Sequence, residues 1–220
     1  MRMPDMMQGL GRRSLRRVPK QERSRDRIDE ILKVSMQLIG QKGIDAVTMK
    51  EIAALSGGPI ASVYQYFPNK SAIIAMLHER YVDDVRSLIS EHVGKISTPE
   101  EALQATDVLF DLYYHRMRER PSTQDLLNAI QADKTLADVD IAETRFQAEV
   151  FFGATKQFVQ SDQRDNYLRT LFVMFHMAAA TLRLALMVPA EEAAKIVAQF
   201  KSIVRTQSTF YFTGSFPASV

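Results

Sequence analysis

No cysteine occurs among the 220 residues. Disulfides, thiolate metal sites and cysteine nucleophiles are excluded together, and the composition suits a reducing compartment. The first residues, MRMPDMMQGLGRR, lack the apolar run of roughly 7 to 15 residues that a secretory leader carries. A cytoplasmic location is therefore expected. The most apolar stretch, Leu171 to Val188, is broken by His176, Thr181 and Arg183. A spanning helix needs about 20 apolar residues, and an arginine near its middle is costly in lipid. This stretch is expected to be a buried helix of a bundle, with no membrane partner. Catalytic signatures are missing as well: there is no GxxxxGK, HExxH or GxSxG, and no pair of Glu-x-x-His motifs. His78, His92, His115 and His176 stand at spacings unlike those of metal ligands. Catalytic residues, a metal and a cofactor are accordingly not expected, and the chain is read as a non-enzyme.

What is present is a core-forming composition with an uneven charge. Apolar residues make up 46% of the chain, enough for one large domain or two modest ones. The net charge of +2 conceals nine Lys/Arg against three acids in residues 1 to 27, or +6, with −4 on the remainder. A basic arm on a mildly acidic body suggests a polyanion at one end only; taken alone, such an arm is equally consistent with a solvated tail.

The chain reads as helical throughout, with no alternation of period two. After a weakly ordered start over residues 1 to 22, Ile28, Ile31, Leu32, Ser35, Leu38 and Ile39 fall on one helical face. Gly43 stops that helix. Thr48-Met49-Lys50-Glu51 has the form of a reciprocal capping box, opening a short helix from Met49 to about Leu55. Gly57 and Gly58 make a turn, Pro59 suits the first position of a third helix, and Pro68 ends it. Asn69 caps a fourth helix from Lys70 to about His92. From Thr98-Pro99-Glu100-Glu101 onward, punctuation at Pro121, Asp133, Asp162 and Pro189 divides the chain into about five more helices.

Two short helices joined by a glycine turn can form a helix-turn-helix, whose second helix fits the major groove of DNA. The ordered series Ile31, Leu38, Gly43, Thr48, Ile52-Ala53, Gly57, Val63-Tyr64, Tyr66-Phe67-Pro68 and Lys70, within about Arg25 to Leu77, resembles the TetR family of transcriptional regulators. The resemblance implies an all-α fold: a helix-turn-helix domain over residues 23–69 behind the basic arm, then an effector-binding and dimerisation bundle over 70–220. It implies a repressor that binds an inverted-repeat operator in double-stranded DNA as a homodimer and responds to a small-molecule effector.

The resemblance also assigns residues. Thr48 would cap the second helix and touch a phosphate, Tyr64 and Tyr66 would lie along the DNA backbone, and Lys70 would meet a phosphate. Val63 and Phe67, four apart, share an inward face. Between Pro59 and Phe67 there is no charged residue, so no arginine there makes the bidentate guanine contact common in groove readers. Ser62 and Gln65 are left to read bases, with Ala61 allowing close approach and Pro59 beside them. Ile60 either folds inward, the preferred reading, or meets a thymine methyl. Phosphate attraction then falls to the arm, through Arg12, Arg13, Arg16, Arg17, Lys20, Arg23, Arg25 and Arg27, helped by Lys50.

In the larger domain Phe110, Tyr114, Phe146, Phe152 and Phe175 offer rings, and His115 and His176 polar groups, for an effector site. For each taken singly, ordinary core packing is the simpler account. The resemblance implies that the last two helices form the dimer interface, with Phe172, Ala179, Leu182, Leu186, Val197 and Ile203 as the candidate contacts. A helical dimeric adaptor that binds only protein is the alternative; it explains the dimer helices but not the arm or the Tyr64 to Lys70 chemistry.

Overall fold

Helical punctuation decides the architecture. A computed structural model describes residues 22–214, which hold nine α-helices and no strand. Helix α1 (Glu22–Ala46) is broken at Gly43 (φ 73°, ψ 159°), a left-handed conformation that glycine alone adopts at little cost. Then come α2 (Met49–Leu55), α3 (Ile60–Tyr64) and α4 (Lys70–Val93). Asn69 Oδ1 accepts from the Ala72 amide at 2.9 Å and so caps α4. The expected five further helices follow: α5 (Pro99–Glu119), α6 (Ser122–Ala132), α7 (Lys134–Thr155), α8 (Arg164–Met187) and α9 (Ala190–Thr213). Two single 3₁₀ turns, Lys156–Phe158 and Ser161–Gln163, join α7 to α8. Thr98 with Glu101 caps α5, and Asp133 Oδ1 accepts from the Thr135 and Leu136 amides at the start of α7.

The described chain forms two compact units: one up to Asp83 together with Arg120–Asp140, the other Asp84–Glu119 with the residues from Ile141 onward. The first unit is thus larger than the segment 23–69. It takes in the start of α4, and α6, which packs against α1. Its buried residues run along α1 (Ile28, Ile31, Leu32, Leu38, Ile39), through Ile52 and Ala53 of α2, Val63 and Phe67, to Leu126 and Ile130 of α6. In the second unit Leu88, Ile89, Leu109, Ala148, Phe151, Tyr167 and Leu171 form one core.

Two polar devices sit inside that apolar packing. The Thr155 hydroxyl donates to the Phe151 carbonyl at 2.8 Å and lies 3.0 Å from the Tyr167 phenol, which is left to donate to it. Burial pushes the pKa of that phenol upward, so it stays a neutral donor. Glu143, 1% exposed, is met by both Arg86 nitrogens: Nε at 2.9 Å from Oε1 and Nη2 at 2.5 Å from Oε2. A bidentate fork of this kind is what makes a buried carboxylate tolerable.

Candidate nucleic-acid interface

Helix α3 is positioned by the turn ahead of it. Thr48 and Glu51 form the expected capping box: Thr48 Oγ1 accepts from the Glu51 amide at 3.3 Å, and the Glu51 carboxylate accepts from the Thr48 amide at 3.0 Å and hydroxyl at 2.7 Å. Lys42 Nζ donates to the same carboxylate at 2.5 Å. The Lys42 bond first, then those from Thr48, lower the Glu51 pKa to about 2. Gly57, at φ 72°, supplies the left-handed residue of the turn. Pro59 comes next, but as the N-cap, in extended geometry, and not as the first helical residue. A proline there provides no side-chain acceptor, and none caps α3.

The face presented by α3 is sharply divided. Val63 and Phe67 are fully buried, whereas Pro59, Ile60, Ala61, Tyr64 and Gln65 are exposed and Ser62 is half-buried. Ile60, expected to fold inward, is 40% exposed. Ile60 is the first residue of α3 and is flanked by exposed Pro59 and Ala61, so it stands at the open end of the helix even though it is only three residues from Val63. Tyr66, expected along the DNA backbone with Tyr64, is 7% exposed. It lies beyond the last helical residue, where its ring turns into the core beside Phe67. Tyr64 keeps its outward place at 37% exposure.

The cations divide too. Arg23, Arg25 and Lys50 are exposed, while the rest of the basic arm, with Arg12, Arg13, Arg16, Arg17 and Lys20, lies outside the described residues. Lys70, expected at a phosphate, directs its ammonium at the carbonyls of Ile44 (2.6 Å), Val47 (3.2 Å) and Asp45 (3.4 Å). Those carbonyls follow the break at Gly43 and have no continuing helix to satisfy them, so they draw the lysine in. Arg27 likewise turns inward: Nη2 donates to Ser62 Oγ at 2.9 Å and Nη1 donates to the Ser56 carbonyl. Neither role is visible in sequence, because each partner is more than twenty residues away.

In the second unit Phe152 and Phe175 pack against one core, beside Tyr167 at 6.0 Å and Phe151 at 6.1 Å. Phe146 stands half-buried with the Arg86 guanidinium 5.0 Å above its ring. Tyr114 is half-buried beneath Arg118. Three of the expected effector residues are placed otherwise. Phe110 is buried ring against ring with Phe200 at 4.8 Å. His115 is exposed and 3.0 Å from Glu119, one helical turn on, and His176 is exposed on α8. Each histidine stands on the outer side of its helix.

The expected dimer residues are also only partly at the surface. Ile203 is 43% exposed, Phe172, Ala179, Leu186 and Val197 are half-buried, and Leu182 is 1% exposed, inside the fold. The face of α8 that is open carries Val173, His176, Met177, Ala180, Leu184 and Met187. Spacings of three, four and seven place these on one stripe. The expectation of a buried helix is thus met on one side only. By length and composition α8 with the turn before it could cross a membrane, the one such helix among the described residues. Half-buried Arg183 and core residues Tyr167, Leu171, Leu182 and Ala185 tie it to a folded unit.

Comparison with known proteins accounts for both units. Residues 31–77 match the family model for bacterial regulatory proteins of the tetR family, and residues 100–207 match a tetracyclin repressor-like C-terminal domain. A probable HTH-type transcriptional regulator, YttP of Bacillus subtilis (strain 168), is 23% identical over 108 residues. That match spans 49% of this chain and 52% of the relative, about half of each. A TetR-family regulator from Streptomyces coelicolor superposes with a TM-score of 0.62 at 22% identity, over 83% of this chain and 95% of the other. SmeT in its triclosan complex gives 0.66 at 12% identity, over 89% and 99%, and GusR of Salmonella enterica gives 0.61 at 16%, over 85% and 95%. At such identities the structures speak to the fold, whereas the two family models, in order along the sequence, speak to descent. The chain belongs to the TetR family of bacterial regulatory proteins, which are DNA-binding transcription factors and not enzymes.

Proposed function

We propose that this chain is a cytoplasmic, ligand-responsive repressor that binds an inverted-repeat operator in double-stranded DNA as a homodimer. The observation that carries the reading is the division of α3. Val63 and Phe67 are fully buried while Ala61, Tyr64 and Gln65 are exposed around half-buried Ser62, so one uncharged, hydrogen-bonding surface faces outward. Gln65 suits adenine, which offers an acceptor and a donor side by side, and Ile60 suits a thymine methyl. Tyr64, Thr48 and Lys50 are the proposed backbone contacts, with Arg23 and Arg25 at the start of α1. Lys70 and Tyr66 support this surface from behind.

A single short helix reads few bases, so a second copy supplies the other half-site. The α8 stripe with Ile203 of α9 is the proposed meeting surface. The SmeT structure is that of a triclosan complex; here the corresponding proposal is an apolar effector held near Phe146, Phe152 and Phe175 in the second unit. Gel retardation of the full chain on the DNA flanking its own gene, with Tyr64→Ala as control, tests the reading. Retardation at low salt that Tyr64→Ala weakens and rising salt removes is expected. Absence of retardation at low salt would favour the protein-binding adaptor.

A further inference from the structure

We propose that Arg27 is the positioning residue for the reading helix, and that Gly58 is glycine because the Arg27 guanidinium occupies the space a side chain would need. The inference rests on the DNA-binding reading of α3. That helix has five residues and no side-chain cap, since Pro59 stands at its N-cap. A helix this short has little stability of its own, so its direction must be imposed by neighbours. Its inner face is held by Val63. Apolar packing is non-directional, however, and leaves rotation and tilt to be set by bonds of defined geometry.

Arg27, half-buried on α1, provides two such bonds across the turn. Nη1 donates to the carbonyl of Ser56, the C-cap of α2, and Nη2 donates to Ser62 Oγ in α3 at 2.9 Å. One planar group therefore ties the end of one helix to the first turn of the next, and the fixed fork of the guanidinium sets the distance between them. Gly58 lies between those two points. A Cβ built on it would stand 3.0 Å from Arg27 Nη2, 3.2 Å from Ser62 Oγ and 3.5 Å from Arg27 Cζ. Its carbon would crowd both partners of the bond, so a larger residue at 58 requires the guanidinium or the hydroxyl to shift by a few tenths of an ångström. The uncharged stretch before Tyr64 thus reflects a cation placed behind the helix.

The test uses the full chain and a duplex of the DNA flanking its own gene, titrated at several salt concentrations, with Arg27→Gln, Gly58→Ala and the double variant. Amide hydrogen exchange over residues 56–66 is followed without DNA. Each single variant is expected to weaken binding by roughly tenfold, the worth of a charge-assisted hydrogen bond. The slope of log affinity against log salt should be unchanged, exchange should be faster, and the double variant should be no weaker than either single one. A slope reduced by about one in Arg27→Gln, with exchange unaltered, would make Arg27 a phosphate contact and overturn the proposal. Additive losses in the double variant would overturn the link to Gly58. Wild-type protein that fails to shift the duplex at low salt sinks the DNA reading; exchange alone then decides the brace, and equal exchange in wild type and Arg27→Gln overturns it.

Discussion

Helices α3 and α8 both leave apolar side chains in water, and the contrast between them separates two kinds of surface. On α3 and its C-cap exposed Ile60 stands with groups that donate and accept hydrogen bonds, Ser62, Tyr64 and Gln65, across six residues. On α8 the stripe runs for four turns and only His176 interrupts it. A partner for the first must itself be dense in donors and acceptors, as the edges of base pairs are. A partner for the second must be apolar, as a second copy of the same stripe is. The supports differ as well. Directional bonds from Arg27, Lys70 and the Thr48–Glu51 box hold the α3 region, whereas α8 is held by Tyr167, Leu171, Leu182 and Ala185 packed in a core.

The comparison is broken most severely on the α8 side. Glu143→Ala, in the unit that holds α8, removes both acceptors of the buried Arg86 fork and should lower unfolding free energy by about 3–5 kcal/mol, read by chemical denaturation. Leu184→Glu, on the exposed stripe, should leave the fold intact yet weaken self-association by roughly a hundredfold, because it places an unpaired charge in an apolar contact. Sedimentation of dilute protein checks it, and an unchanged oligomeric state would remove α8 from the interface. On the α3 side Tyr64→Ala should cost about tenfold in DNA affinity, with no change in sedimentation. The smallest effect is at the cap. Thr48→Ala should cost about 1 kcal/mol of stability.

The cap also has a pH signature. Glu51 has its pKa lowered from 4.5 to about 2 in the fold, so its contribution is fully present above about pH 4.5 and is lost as pH falls toward 2. Glu51→Gln should remove that part of the acid dependence, seen as a smaller loss of melting temperature between those two pH values.

The helix-turn-helix was legible because its determinants act over three or four residues. The Thr48–Glu51 box, the Gly57 turn, the Pro68 stop and the Asn69 cap each join neighbours, and each appears where its residue types imply. The supports behind it were not legible. Arg27 reaches partners 29 and 35 residues away, Lys70 reaches Ile44 across 26, and Arg86 meets Glu143 across 57. No local pattern encodes such pairs, although Glu143 does fall seven residues after buried Leu136, on the buried side of its helix. The outward side of α8 was hidden for a different reason. With apolar residues nearly all round, the helix has no polar stripe to reveal which side the core claims, so the pattern does not separate buried Leu182 from exposed Leu184.

The ammonium of Lys70, directed at three carbonyls, also changes how that amine should react. A lysine attacks acylating reagents only through an accessible amine, and the carbonyls of Ile44, Asp45 and Val47 around the Lys70 nitrogen hinder a reagent's approach. Exposed Lys50 has no such enclosure. Brief treatment of the folded chain with an amine-selective label should therefore mark Lys50 well before Lys70, and Lys70 should catch up only when the turn after Gly43 opens. The order of labelling would then report the integrity of that joint.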